Sequence, residues 1–189
     1  AIDSMGLKDK AKEVARSADV PVIPGYQGAK QDFKTMEKEG KEIGLPLLIK
    51  PSAGGGGKGM IVVENWSLLN SSLEKAKRES MASFGNDHLI LEKYFPHCKH
   101  IEVQVFGDQQ ENVVHLYERE CSLQRRHQKI IEEAPCQSLS NEMREKICNS
   151  AVALARKVKY IGAGTVEFIF DPNTQEYYFL EMNTRLQVE

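Results

Sequence analysis

Two stretches carry residue types whose spacing suits chemistry on a phosphate. The run Gly54-Gly55-Gly56-Gly57-Lys58-Gly59 sets four consecutive glycines before a lysine. Glycine admits unusual backbone angles and lets amide N–H groups approach a ligand closely, and such amides, with Lys58, suit polyphosphate oxygens. The same run also fits a turn that merely joins two strands. It is not a P-loop, because Met60-Ile61-Val62-Val63 reads as strand and no Ser or Thr follows Lys58; the GxGxxG dinucleotide fingerprint fails for the same missing helix. The functional reading is a glycine-rich flap on a hairpin, able to close over a nucleotide. Lys50, at the mouth of the loop, is a second phosphate cation in that reading and a solvated strand end in the other.

The second stretch is the C-terminal segment. Counting by twos from Glu181 gives Asn183, Arg185, Gln187 and Glu189, with Met182, Thr184, Leu186 and Val188 between them. In an extended chain these two sets face opposite sides, so oxygen ligands, a fixed cation and a base line up on one face. A hairpin with a wet face fits the alternation equally well. Glu167 lies on the expected partner strand, and two carboxylates plus the Asn183 amide suit a hard cation such as Mg²⁺ beside nucleotide phosphates.

Residues 119–129 read RECSLQRRHQK, cations and amides without aromatic stacking partners, and acids follow at once. That favours a small-anion pocket over a nucleic-acid patch, with a solvated turn as the plainer alternative. His97 and His100 flank Cys98 at a zinc-like spacing, but the sequence offers no second ligand pair. His88 and His115 carry no identifiable role.

The elements that must position these groups alternate between helix and strand. Helices are expected at 8–18, 32–43, 67–84 and Asn141–Lys157, the last capped by Ser140 or Asn141. Strands are expected at 45–50, 60–64, 89–91, 101–105 and 113–117, with a 165–170 and 177–182 hairpin around Pro172-Asn173. A composition shift at 94–98 divides a small α/β module from a larger sheet-based unit. The chain has 189 residues, 25 basic and 27 acidic, for a formal charge of −2, which removes the whole-chain electrostatic footprint of a non-specific nucleic-acid binder. Apolar runs at 45–49 and 60–63 are too short to cross a bilayer, so no membrane partner is expected. Four cysteines without a CxxC pair read as free thiols in a reducing compartment, and no targeting segment is read. The chain opens without methionine and stops inside a periodic segment, and is read as a piece of a longer protein.

Taken together, these segments resemble the biotin carboxylase component of the biotin-dependent carboxylases, built on the ATP-grasp fold. The residues that carry the resemblance are Met5-Gly6-Leu7-Lys8, Lys50, GGGGKGM at 54–60, Glu92-Lys93-Tyr94, HIEVQV at 100–105, ERECSLQRRHQKIIEEAP at 118–135, GAGTVEF at 162–168 and EMNTRLQVE at 181–189. They span nearly the whole chain in order, and RRHQK with EMNTRLQVE separates this family from other ATP-grasp ligases such as carbamoyl phosphate synthetase. The resemblance implies an α+β ATP-grasp fold, incomplete at both ends. Its parts would be a linker helix at 1–20, a lid subdomain with the flap at 21–93, and a truncated central subdomain at 94–189.

Residue by residue, the resemblance implies that Lys8, Lys50, the glycines at 54–57 and 59, Lys58 and His127 contact ATP phosphates or ribose. It places Glu92, Lys93, Tyr94 and Phe95 along the adenine, with His100 and Gln124 beside the nucleotide. Glu167, also an ATP-site residue, joins Glu181 and Asn183 in holding Mg²⁺ or Mn²⁺. Lys129, Arg185, Gln187 and the Val188 backbone hold bicarbonate, and Glu189 is the general base. Two departures stand out: the more common MGDK becomes Met5-Gly6-Leu7-Lys8, and a biotin-site arginine beyond Glu189 falls outside this chain. ATP would activate bicarbonate as carboxyphosphate and biotin would accept the carboxyl group. The implied partners are a biotin carboxyl carrier domain and a carboxyltransferase subunit in an oligomeric acyl-CoA carboxylase, methylcrotonoyl-CoA ahead of propionyl-CoA. The implied location is the mitochondrial matrix in a eukaryote and the cytoplasm otherwise. The competing reading is a non-catalytic nucleotide-binding or interaction module of the same fold.

Overall fold

The computed structural model describes residues 8–53, 59–125 and 128–184, with only the backbone of residues 8–10. The first element among the described residues is helix α1 (Lys8–Ser17), after which the chain enters one compact unit, Ile23–Pro96, and then rejoins the unit to which α1 belongs.

Within Ile23–Pro96, β1 (Gly25–Tyr26), β2 (Leu47–Pro51), β3 (Ile61–Val63) and β4 (Leu89–Lys93) form an antiparallel sheet in the order β1-β4-β2-β3. Helices α2 (Phe33–Ile43) and α3 (Leu69–Phe84) pack on it around Met36, Leu47, Ile49, Leu73, Leu89 and Leu91. Asp32 sits just before α2 and accepts from Thr35 N at 2.9 Å, satisfying an orphan amide of the first turn. The helix expected from residue 67 instead begins at Leu69. Asn65 Oδ1 accepts from Ser67 N at 3.0 Å and holds Trp66–Leu68 in a 3₁₀ turn that delays the α-helical ladder.

The second unit is built on β5 (Lys99–Gly107), β6 (Val113–Arg125), β7 (Gln128–Glu133), β8 (Gly162–Asp171) and β9 (Glu176–Asn183), antiparallel in the order β7-β6-β5-β8-β9. Helix α4 (Asn141–Lys157), capped by Ser140 Oγ on Met143 N at 3.1 Å, packs with α1 against this sheet. Ile101, Val103 and Val105 point into that core with Ile147, Ala151, Leu154, Phe168 and Phe179. Period-2 alternation therefore turns His100, Glu102 and Gln104 to the opposite face.

The strand expected over 113–117 runs on to Arg125, and the basic stretch 119–129 lies in the β6–β7 hairpin, not in a free turn. A bulge between Val103 and Val105, with Tyr117 at φ 62°, breaks the alternation in the middle of β6 and hides the rest of the strand from a sequence reading. Among the described residues no helix is long and apolar enough to cross a membrane.

Candidate functional site

Five strands bring the site of the second unit together. Glu102 on β5 is in register with Arg119 on β6 and with Glu167 on β8, and Glu167 is in register with Glu181 on β9. Glu102 is wholly buried and Glu167 is 4% exposed, so two carboxylates sit side by side out of water. Bare, that arrangement is costly, and neighbouring cations and donors offset it.

Lys129, from β7, reaches both carboxylates: its Nζ is in close contact with Glu102 Oε1 and 3.3 Å from Glu167 Oε1. His100 Nε2 lies 2.7 Å from Glu167 Oε2. Gln124 Nε2 donates to His100 Nδ1 and to the Cys121 carbonyl, both at 2.8 Å. The carbonyl contact fixes which end of the Gln124 amide faces the ring, so Nδ1 accepts and Nε2–H donates to Glu167. Asn183 Nδ2 donates to Glu167 Oε1 at 2.5 Å. Burial works to raise the Glu167 pKa, but the His100 hydrogen bond and the charge and hydrogen bond of Lys129 outweigh it and hold the carboxyl below its ordinary value. Burial likewise works to lower Lys129, and its bonds and attraction to Glu102 and Glu167 carry it above the usual ammonium range.

Of the residues singled out in the sequence, His100, Gln124, Lys129, Glu167 and Asn183 thus meet in one cluster. Glu181 stands opposite Glu167 but is exposed. The sequence reading missed Glu102 and Arg119 as site residues. Arg119 donates to Glu102 Oε2 through Nε at 3.1 Å and Nη2 at 2.8 Å. The alternation of HIEVQV was the available signal, since it sends Glu102 to the same face as His100.

Ligand atoms of His100, Glu102 and Glu167 lie within 4.8 Å of one another. Of these, the two carboxylates are hard oxygen donors, and with the Asn183 amide against Glu167 and Glu181 across from it they suit a divalent cation of the Mg²⁺ class, which the His100 imidazole does not.

In the unit Ile23–Pro96, Lys50 Nζ lies 2.5 Å from Glu92 Oε2, and their side chains are 20% and 3% exposed, so Lys50 is not a solvated strand end. Leu48 pairs with Glu92 and Leu47 with Lys93 across β2 and β4. The Lys93 amide donates to the Pro24 carbonyl at 2.8 Å, the Tyr94 amide to Pro46 at 3.0 Å, and Lys93 Nζ to the Leu45 carbonyl. Phe95 follows just beyond β4. Gly59, at φ 76°, holds a left-handed turn against Pro51. Residues 54–58, His127, Arg185, Gln187, Val188 and Glu189, and the side chain of Lys8, lie outside the described residues.

A family model described as the carbamoyl-phosphate synthase L chain, ATP binding domain, matches residues 8–189. The chain is 54% identical over 189 residues to the mitochondrial methylcrotonoyl-CoA carboxylase subunit alpha of Oryza sativa subsp. japonica, covering 100% of this chain and 26% of that protein. It is 53% identical over 188 residues to the pyruvate carboxylase of Bacillus subtilis (strain 168), covering 100% of this chain and 16% of that protein. It is also similar to the biotin carboxylase domain dimer of the Hydrogenobacter thermophilus 2-oxoglutarate carboxylase, solved with MgADP, ADP and bicarbonate. There the TM-score is 0.87 at 47% identity, over 100% of this chain and 41% of that one. The chain therefore spans 26% or less of the length of these two curated relatives. It has the ATP-grasp fold and belongs to the family of the carbamoyl-phosphate synthase L chain ATP-binding domain.

Proposed function

We propose that the chain is the ATP-binding part of a biotin carboxylase within an acyl-CoA carboxylase, in which Mg-ATP activates bicarbonate and biotin accepts the carboxyl group. The observation that carries this reading is the convergence of His100, Lys129 and Asn183 on one carboxylate, Glu167. The chain is assigned an N-terminal linker helix (1–20), a lid (21–93) and part of the central subdomain (94–189).

In this reading Lys8, Lys50, Lys58, His127 and the glycine amides hold the nucleotide's phosphates and ribose, and Glu92 to Phe95 line the adenine. Glu167, Glu181 and Asn183 would hold Mg²⁺, with Mn²⁺ as a substitute. The ion supplies positive charge against the phosphate oxygens. Lys129, Arg185, Gln187 and the Val188 backbone hold bicarbonate while Glu189 takes its proton. The freed oxygen attacks the γ-phosphorus and ADP leaves; the carboxyphosphate so formed breaks down to CO₂ and phosphate. The CO₂ then bonds to the ureido nitrogen of biotin, whose N–H proton passes to the released phosphate. A closed flap would keep water from that unstable anhydride.

The whole protein would work with a biotin carboxyl carrier domain and a carboxyltransferase subunit as an oligomer, in the mitochondrial matrix in a eukaryote and in the cytoplasm in a bacterium. The test is ADP release by the longer protein that carries this chain. Release that needs both bicarbonate and Mg²⁺ and rises with free biotin is expected. A folded protein that binds nucleotide and never turns over would favour the non-catalytic module.

A further inference from the structure

Arg119 is a buried cation that the proposed chemistry leaves unused. It stands on β6 directly across from Glu102 and is 9% exposed. Both Nε and Nη2 converge on one oxygen, Glu102 Oε2, at 3.1 and 2.8 Å. The other oxygen, Oε1, faces Lys129 in close contact and His100 Nε2 at 3.5 Å. A carboxylate gripped by a planar guanidinium fork has its rotation fixed, because the donors are rigidly spaced. Behind Arg119, Glu132 on β7 brings its Oε2 within 3.3 Å of Nε, and the Gln104 amide oxygen lies 3.5 Å from Nη1. Charges thus alternate along a line: Glu132, Arg119, Glu102, Lys129, Glu167.

We propose that Arg119 is a positioning residue: by fixing Glu102 through Oε2 it turns Oε1 toward Lys129 and so sets where the Lys129 ammonium stands. This rests on the reading in which Lys129 holds bicarbonate. Without the fork, Glu102 rotates within its pocket. Lys129 then divides itself differently between Glu102 and Glu167, and bicarbonate meets a displaced cation. ATP, most of whose assigned contacts come from other residues, is less affected.

The test uses the longer protein that carries this chain, with Arg119→Lys, which keeps the charge and loses the fork, and Glu132→Gln, which loosens the fork from outside. Bicarbonate KM is expected to rise about tenfold in Arg119→Lys, the scale seen when a group that orients a site residue is altered, with ATP KM within about twofold. Glu132→Gln moves the same constant in the same direction by less, and serves alone if the arginine variant does not fold. A second readout needs no turnover: the rate at which an amine-reactive ester labels Lys129, followed by mass spectrometry, changes by roughly several-fold, because the attacking amine is shielded by the two carboxylates and that shielding depends on where it stands between them. Parallel changes in both KM values, or an unchanged bicarbonate KM with a lowered melting temperature, overturn the positioning role. So does unchanged labelling of Lys129. Altered labelling in a protein whose native form never releases ADP keeps the positioning role and removes the biotin carboxylase reading.

Discussion

Glu102 and Glu167 face each other across β5 and β8 in direct register, two buried carboxylates that share one lysine. Like charges in a poorly polarisable interior repel, and Lys129, Arg119 and the His100 donor offset that repulsion. Any phosphate-bound cation entering beside Glu167 therefore meets a carboxylate already held charged and oriented.

Replacing Glu167 with Gln keeps the shape and removes one charge of the pair. Lys129 retains Glu102, so the protein should still fold, but the new amide NH₂ faces a donor in a buried site and the melting temperature should drop by several degrees, roughly what about 1–2 kcal/mol gives. Mg²⁺-dependent nucleotide affinity should fall at least about tenfold, since even groups that only support a metal ligand carry that much. Calorimetric titration of MgADP into the native and variant proteins checks it; equal affinities would remove Glu167 from the cation site.

The sheet of the second unit was legible from alternation alone where strands are regular, as in HIEVQV, where each polar residue faces the site and each aliphatic one the core. It was illegible past Tyr117, because a bulge resets the period and puts a stretch expected as a small-anion pocket or a solvated turn at the far end of β6. The same break hid Arg119, whose meaning lies in its cross-strand partner, and register is not written in local sequence. Lys50 shows the reverse case. Its spacing marked it as a cation for phosphate, while its partner Glu92, far along the chain, emerges only when β2 and β4 pair.

On the helix side of the same sheet, Arg144 of α4 donates through Nε to Glu118 Oε1 at 2.8 Å and through Nη2 to the Cys136 carbonyl at 3.0 Å. The Cys136 amide also donates to Glu118 Oε1, at 3.1 Å, so one ion pair ties β6, the loop before α4 and α4 itself. Arg144→Met strands a fully buried carboxylate and should cost about 3 kcal/mol of stability. Adding Glu118→Gln should recover much of that loss, because the stranded charge is then gone. Thermal melts of the single and double variants decide whether charge or packing dominates; a double variant no better than the single points to packing.

Gly107 ends β5 where a Cβ would lie 2.0 Å from the Tyr160 carbonyl oxygen, a backbone atom unable to swing aside. Gly107→Ala should therefore cost about 3 kcal/mol through overpacking. Gly85 closes α3 at φ 67° with nothing within 4 Å of a Cβ, so Gly85→Ala meets only backbone strain of about 1 kcal/mol. Chemical denaturation should rank the two in that order, and a reversed ranking would mean that the β5 terminus yields more easily than its contacts indicate.

The thiols give a pH signature. Burial, reinforced by nearby carboxylates, pushes Cys121 and Cys148 up to about 12 from an ordinary 9.0. In the unfolded chain these thiols lose their protons near the ordinary value, while in the fold they keep them to about 12. Above the ordinary value the unfolded state binds fewer protons than the folded one, so stability falls as pH rises through that window; below it the two states bind alike and the effect is absent. Native protein should accordingly resist disulfide-exchange reagents at Cys121 and Cys148 at neutral pH and react at both once unfolded. In alkaline urea melts Cys148→Ala should flatten the decline of stability with pH. A decline as steep in that variant as in the native protein would assign the alkaline loss to other groups.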